Sequence, residues 1–136
     1  MRVLDANIFL RYITRDNPQQ SEACRRLFEQ VRTGDLRVAT SEGIIAEVIY
    51  VLTSPRLYRL PREQAAASLL PLVKLRGLRV PRKDVCVRAL RLYAQYPFLD
   101  FADALVVAHA EREPEREVVG FDRDLDRLPG VRRVEP

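Results

Sequence analysis

The first twelve residues, MRVLDANIFLRY (1–12), contain a short apolar run followed by an acid, and this pattern is the main basis for predicting the fold. Val3 and Leu4 form a short apolar run that is typical of a buried strand, and the run ends at Asp5. Asn7 follows two residues later. In an open parallel sheet, ligands bind beyond the carboxyl ends of the strands. The opening stretch therefore predicts a first strand that ends in a functional acid.

Strands and helices alternate along the rest of the chain. Strands are predicted over Leu36 to Thr40, Leu78 to Val80, VVGF (118–121) and VRRVE (131–135). Helices are predicted over Pro18 to Arg32, from Ser41 through GIIAEVIYVL, and over PREQAAASLLPLVKL, RKDVCVRALRLYAQY, DFADALVVAHAERE and, as a short turn, DRDLDRL. Because parallel strands need helical crossovers, this alternation predicts an α/β fold with three layers, helices covering both faces of a central parallel sheet. With no long linker or repeat, residues 1–136 are expected to form a single domain.

Composition narrows the class of protein. Cys24 and Cys86 lie far apart with no CxxC spacing, which argues against a disulfide framework or a zinc site. No stretch approaches the roughly 18 apolar residues of a membrane span, and the N-terminus does not resemble a signal peptide. We therefore expect a cytoplasmic protein with no membrane partner.

The net charge of +4 is unevenly distributed. The segment from Pro55 to Leu92 has ten basic residues against two acidic ones, a net +8, which leaves −4 for the remainder. A solvated arginine-rich surface explains such a segment, and so does attraction to a polyanion. Charge alone does not choose between them.

Four acidic residues occur at positions where a solvent-exposed charged surface is not the expected explanation. Asp5 and Asp122 each follow a predicted strand, whereas Glu47 and Asp103 lie in apolar helical segments with no Lys or Arg within four positions. A buried carboxylate without a counter-charge is costly. A divalent cation would compensate all four, and oxygen ligands without Cys or His favour Mg²⁺ or Mn²⁺ over Zn²⁺.

Each acid also has a simpler structural explanation. Asp5 and Asp122 are typical helix caps, and Asp103 fits a capping arrangement begun by Asp100, which is itself best interpreted as an N-cap. Asp124 and Asp126 are interpreted as solvated residues, although either is close enough in sequence to Asp122 to reach the same rim. The only histidine, His109, lies about 240° around the helix from Asp103 and is expected to have a packing or surface role rather than that of a general base.

These residues, in this order, resemble a PIN domain, and most closely the VapC-type toxins of toxin–antitoxin pairs. The matching stretches are VLDANIFLRY, EGIIAEVIYVL, FLDFADALVVAHA and GFDRDLDRLPGV, and together they extend over essentially the whole chain. The resemblance implies a central parallel sheet of four to five strands. It also implies an acidic pocket that binds Mg²⁺ or Mn²⁺ for endoribonuclease cleavage, a small antitoxin partner and a homodimer.

Carried over by position, the resemblance makes Asp5, Glu47, Asp103 and Asp122 the catalytic, metal-binding acids. Asn7 matches a polar residue that commonly follows the first acid, and Ser41 matches a hydroxyl position near the pocket, although helix capping explains Ser41 equally well. The chain departs from the family pattern at Ala6, where Thr is frequent, and at Gly120, where Thr or Ser precedes the final acid.

Three other functions remain open from the sequence. A PIN nuclease that processes RNA without an antitoxin has the same acids, and a catalytically silent PIN-like binding domain has the same fold. A phosphate-accepting receiver module also has an acid at a strand end. That module needs a lysine after a later strand, and the two lysines, Lys74 and Lys83, are wrongly placed for it.

Overall fold

The computed structural model describes all of residues 1–136. Five short strands and six α-helices alternate, with one 3₁₀ helix near the end. In chain order they are β1 (Arg2–Val3), α1 (Ala6–Thr14), α2 (Pro18–Thr33), β2 (Val38–Ala39), α3 (Glu42–Thr53), α4 (Arg62–Val73), β3 (Leu78–Arg79), α5 (Lys83–Gln95), α6 (Phe101–Glu111), β4 (Glu117–Val119), the 3₁₀ helix (Arg123–Arg127) and β5 (Arg132–Val134).

All strand pairs are parallel, which confirms the predicted α/β class. Strands β1, β2 and β3 lie side by side in that order, with Arg2 opposite Val38 and Val38 opposite Leu78. Strands β4 and β5 form a separate parallel pair. The five strands are therefore divided between two sheets rather than joined in one. Each strand has only two or three paired residues.

The core is built around β2 and the apolar faces of the helices. Both residues of β2 are buried, which places packed side chains on both faces of the sheet at its centre. Helices α3 to α6 pack in succession and contribute fully buried residues such as Leu52, Leu69 and Leu90. Burying one such side chain contributes about 1.5–3 kcal/mol. No helix combines the length and apolar character needed to cross a bilayer.

Two elements differ from the prediction. The sequence predicts no element between Asp5 and Pro18, yet α1 begins directly after Asp5 and buries Ala6, Phe9 and Leu10 on one face. The strand predicted over residues 118–121 ends at Val119, although the Gly120 N–H still donates to Val134 O at 2.9 Å. As a result, Phe121 lies outside the sheet and is exposed.

Candidate active site

Asp5 links the first strand to the first helix. The Leu4 N–H donates to Ala39 O at 2.8 Å, so sheet pairing continues to the residue before Asp5. Asp5 is exposed and is the N-cap of α1, where its Oδ1 accepts from the Ala6 N–H at 2.6 Å. Its second oxygen accepts no backbone hydrogen bond. The structure thus places a partly free carboxylate at the carboxyl end of β1, and the predicted capping role is also confirmed.

Asp100 and Asp103 lie together at the start of α6. Asp100 is the N-cap, as predicted, and its Oδ1 accepts from the Asp103 N–H at 2.7 Å. Asp103 is half-buried, and burial raises the pKa of its carboxyl above the ordinary value, with the negative charges of Asp100 and Asp122 raising it further. Asp100 and Asp122 are therefore both within electrostatic reach of Asp103, although Asp122 is distant in sequence.

The last acids lie around the 3₁₀ helix. Asp122 is its N-cap and accepts from the Asp124 N–H at 3.0 Å. Asp126 pairs with Arg133 at 2.9 Å, and Asp124 lies 3.7 Å from Arg127. Asp124 and Asp126 are thus exposed, as predicted, and each is also paired with an arginine, whereas Asp122 has no cationic partner.

Glu47 corrects an expectation. The apolar sequence around it predicts a buried helix and a buried carboxylate, but Glu47 is exposed. Its neighbours Ile45, Val48 and Ile49 point into the core, while Gly43, Glu47 and Tyr50 form an exposed stripe at helical spacing. Because Glu47 is exposed, its carboxylate needs no bound cation to compensate for burial, and that prediction is wrong. Its role in the site stays a prediction.

The supporting residues have mixed outcomes. Asn7 is exposed in the first turn of α1, close in sequence to Asp5. The Ser41 hydroxyl accepts from the Ile44 N–H at 3.2 Å and so caps α3. The structure shows no hydrogen bond from Ser41 to the predicted site residues, so its role near the pocket stays a prediction. His109 joins α6 to α3 through a 2.8 Å contact between its Nε2 and Glu42 Oε1, which agrees with the predicted packing role.

We call Asp5, Glu47, Asp100, Asp103 and Asp122 the acidic edge. None of these five carboxylates forms a salt bridge. Helix α1 packs on α3, and α3 packs on α6, so the helices that carry or follow Asp5, Glu47, Asp100 and Asp103 are in contact. Asp122 is linked to this group through its electrostatic effect on Asp103. No three His, Cys, Asp or Glu side chains converge closely enough to form a complete metal cage.

The acidic edge nevertheless fits a hard divalent cation. Its donors are carboxylate oxygens alone, and the pKa of Asp103 is raised first by burial and then by the negative charges of Asp100 and Asp122. Mg²⁺ retains several waters and needs only one or two protein carboxylates, so a complete protein cage is not required. The donor set therefore suits Mg²⁺ or Mn²⁺.

A cleft of about 360 Å³ adjoins the acidic edge at Asp100. It is mainly apolar and includes the exposed Tyr50 and the buried Tyr93. Arg62 from α4 lies in its wall, with its guanidinium 3.8 Å from the centre of the Tyr93 ring. Neither Tyr50 nor Arg62 was predicted as a site residue. Tyr50 lies three residues after Glu47 on the same helix, and this spacing could have placed it on the same face. Arg62 contacts residues 31 to 37 positions away, so no pattern in its neighbouring sequence identifies it.

Arg62 holds the segment that leads into the acidic edge. Its Nη2 donates to the carbonyl oxygens of Tyr93 at 3.0 Å and Tyr96 at 3.2 Å, and also to that of Leu99. These carbonyls belong to the end of α5 and to the loop that reaches Asp100. One guanidinium therefore satisfies three acceptors immediately before the acids at the start of α6.

Comparison with known proteins agrees with this geometry. The family model described as PIN domain matches residues 2–131. A VapC ribonuclease of Mycobacterium bovis, Mb1869c, is 27% identical over 136 residues, covering 98% of this chain and 99% of the relative. Ribonuclease VapC13 of Mycobacterium tuberculosis gives the same identity and coverage. Because the family model spans nearly the whole chain, the chain belongs to the PIN domain family.

Proposed function

We propose that this protein is a metal-dependent endoribonuclease that hydrolyses RNA phosphodiester bonds at the acidic edge. The observation that carries the proposal is Asp103, half-buried beside Asp100 and Asp122 with no cation near it. An arrangement that costs stability in the free protein is typical of a functional site. The similarity to two relatives named as ribonucleases supports RNA as the substrate class.

Asp5, Glu47, Asp103 and Asp122 are the residues proposed to hold Mg²⁺ or Mn²⁺, with Asp100 beside them. When bound, such a cation supplies Lewis-acid stabilisation of the charge that develops on the phosphate oxygens during in-line displacement. The same positive charge offsets the repulsion between these acids and the RNA backbone.

The side chains themselves contribute orientation and access. Asp5 and Asp122 each commit one oxygen to a helix cap, which fixes the rotation of the carboxylate and leaves the second oxygen available. Asp5, Glu47 and Asp122 are exposed, so the edge is open rather than enclosed. An open edge admits a polymer at an internal position, as endonucleolytic cleavage requires.

The decisive test is Asp103→Asn, with Asp35→Asn as the matched control. Asp35 is exposed and forms no salt bridge, so its variant makes the same change of charge away from the acidic edge. We expect Asp103→Asn to reduce Mg²⁺-dependent RNA cleavage by about a hundredfold or more, because it removes a charged group from the reacting region. Asp35→Asn should cleave at the wild-type rate.

Cleavage is measured on purified protein with Mg²⁺, with Mn²⁺ and with EDTA, and circular dichroism checks that both variants are folded. Full activity in Asp103→Asn would contradict the site assignment. Undiminished cleavage in EDTA would contradict the metal dependence. Binding of RNA without cleavage under every metal condition would favour a silent binding domain.

We further propose that the protein acts in the cytoplasm as the toxin of a VapBC-type pair, as a homodimer inhibited by a small antitoxin protein. The support is the overall similarity to relatives named VapC. Co-expression with the small reading frame adjacent to its gene should give a complex that co-purifies and restores growth. If induction alone does not slow growth and no partner co-purifies, an RNA-processing nuclease without an antitoxin is the better description.

A further inference from the structure

A second cleft, of about 360 Å³, lies at the opposite end of the strands from Asp5. Met1, Arg37 and Gly77 line it, and each directly precedes the paired residues of β1, β2 or β3. The cleft continues along β3, which is the edge strand of its sheet. Its cationic residues are Arg37, Arg76, Arg79 and Lys83, which we call the basic cleft.

The cations of the basic cleft have no acidic partners. No Asp or Glu lines the cleft, and none of its four cationic side chains forms a salt bridge. Elsewhere the surface arginines are often paired: Arg25 lies 2.8 Å from Glu22, and Arg32 lies 2.6 Å from Glu29. The positive field of the cleft is therefore not cancelled locally.

Lys83 is the clearest example of a positive charge in the cleft that no acidic side chain neutralises. It is half-buried at the start of α5, and its Nζ donates to the Leu75 carbonyl oxygen at 2.8 Å. Burial lowers the pKa of this ammonium below the ordinary lysine value. A neutral carbonyl is its only protein partner, so an anion in the cleft would relieve the cost of burying the charge.

The cleft is built on rigid backbone. Gly77, between Arg76 and Arg79, is buried, and its N–H donates to Val31 O at 2.9 Å while its carbonyl accepts from the Val38 N–H at 2.9 Å. The arginines are thus attached to the end of a paired strand rather than to a long loop. Fixed cations at separate positions suit a ligand with several phosphates better than a single small anion.

We propose that the basic cleft binds phosphate groups of the RNA backbone, as a second contact remote from the acidic edge. This inference rests on the proposed ribonuclease function. It extends that function by assigning a binding site to RNA that lies away from the cleavage position. A chain of this length has a radius of gyration of about 14 Å, so an RNA that reaches both ends must be longer than a few nucleotides. The basic cleft therefore favours long or folded RNA over short fragments.

The test uses the double variant Arg76→Gln/Arg79→Gln with the matched control Arg25→Gln/Arg32→Gln. Both remove two exposed positive charges, but only the first removes them from the cleft. Cleavage kinetics are measured on a hexanucleotide and on a stem-loop RNA several times longer. Affinity for the stem-loop is measured in EDTA by fluorescence anisotropy over a range of salt concentrations.

For the cleft variant we expect KM and Kd for the stem-loop to rise on the order of tenfold at low salt. The slope of log affinity against log salt should fall by about 0.7 for each RNA phosphate that the variant no longer neutralises. Kinetics on the hexanucleotide should not change. The control variant should match the wild type in all of these measurements.

Equal affinities and salt slopes in the two double variants would overturn the inference, as would an equal loss on the hexanucleotide. So would an affinity for inorganic phosphate that disappears in the cleft variant while its RNA binding is unchanged. The binding measurement needs no cleavage. A wild-type protein that cuts neither RNA would therefore contradict the proposed function and still leave the basic cleft tested by affinity.

Discussion

Asp5 of the acidic edge and the basic cleft lie at opposite ends of β1, and both regions hold charged side chains that lack partners of opposite sign. Asp103 has other carboxylates as neighbours, and Lys83 has only a carbonyl. By contrast, the surface of α2 pairs Arg25 with Glu22 and Arg32 with Glu29. Exposed pairs of this kind contribute little to stability. The two candidate binding regions are therefore distinguished by several unpaired charges of one sign lying together, since isolated unpaired charges such as Asp35 also occur elsewhere on the surface.

The largest effect on stability is expected at the backbone under the basic cleft. In Gly77→Ala a Cβ would lie 2.6 Å from Val31 O and closer still to Leu36 O, so the strand must shift. We expect a loss of about 3 kcal/mol or more in the free energy of unfolding, measured in urea. Gly120→Ala is the control, because nothing lies within 4 Å of its Cβ. A Gly77→Ala protein as stable as Gly120→Ala would show that the cleft is not rigidly built.

The next effect is expected where the acidic edge is anchored. Arg62→Lys keeps the charge but removes the guanidinium Nη2 that donates to the Tyr93, Tyr96 and Leu99 carbonyl oxygens. We expect a loss of about 1–2 kcal/mol in the free energy of unfolding. The loop before Asp100 should loosen, so kcat on a hexanucleotide should fall while KM changes less. A change in stability without any change in kcat would limit Arg62 to a structural role.

Asp103→Asn should have a smaller effect on stability, and of opposite sign. Burial and neighbouring carboxylates raise the pKa of Asp103 in the folded protein, so its ionisation costs stability. The penalty is absent at acid pH, grows as the pH rises above the ordinary carboxyl pKa, and is complete above the raised pKa. The variant should therefore melt at a higher temperature than the wild type at pH 7, with the difference vanishing near pH 3.

Addition of Mg²⁺ should raise the melting temperature of the wild type more than that of Asp103→Asn, because only the former retains the full set of acids. A lower melting temperature for Asp103→Asn at pH 7 would contradict the interpretation of the acidic edge as a site that is costly to the free protein.

The smallest effect is expected at the paired surface charges. Arg25→Gln removes a guanidinium that is exposed and bound only to Glu22, on the same face of α2. Its melting temperature, cleavage rate and RNA affinity should all match those of the wild type. A clear loss of RNA affinity would show that an arginine paired with a glutamate also binds RNA, which would contradict the assignment of RNA binding to the unpaired cations of the basic cleft.

Local patterns in the sequence explain why much of the fold was predictable. Asn17, Ser41 and Asp100 cap the helices that their positions predicted, because N-capping depends on residues only three apart. Helix α1 was missed although Ala6, Phe9 and Leu10 follow helical spacing, since the apolar start of the chain resembles a strand. The exposure of Glu47 was also readable from its spacing to Gly43 and Tyr50, but the apolar composition of α3 concealed it.

By itself, the sequence determined the alternation of strands and helices, the parallel α/β class and the chemical identity of the acids, because each of these depends on neighbouring residues. Only the tertiary structure decided which charges share a surface. It placed Asp122 beside Asp103 and assigned Arg37, Arg76 and Lys83 to one cleft, although the unpaired Arg37 lies outside the basic segment. Electrostatic interaction depends on distance in space, and that distance is set by the packing of elements far apart along the chain.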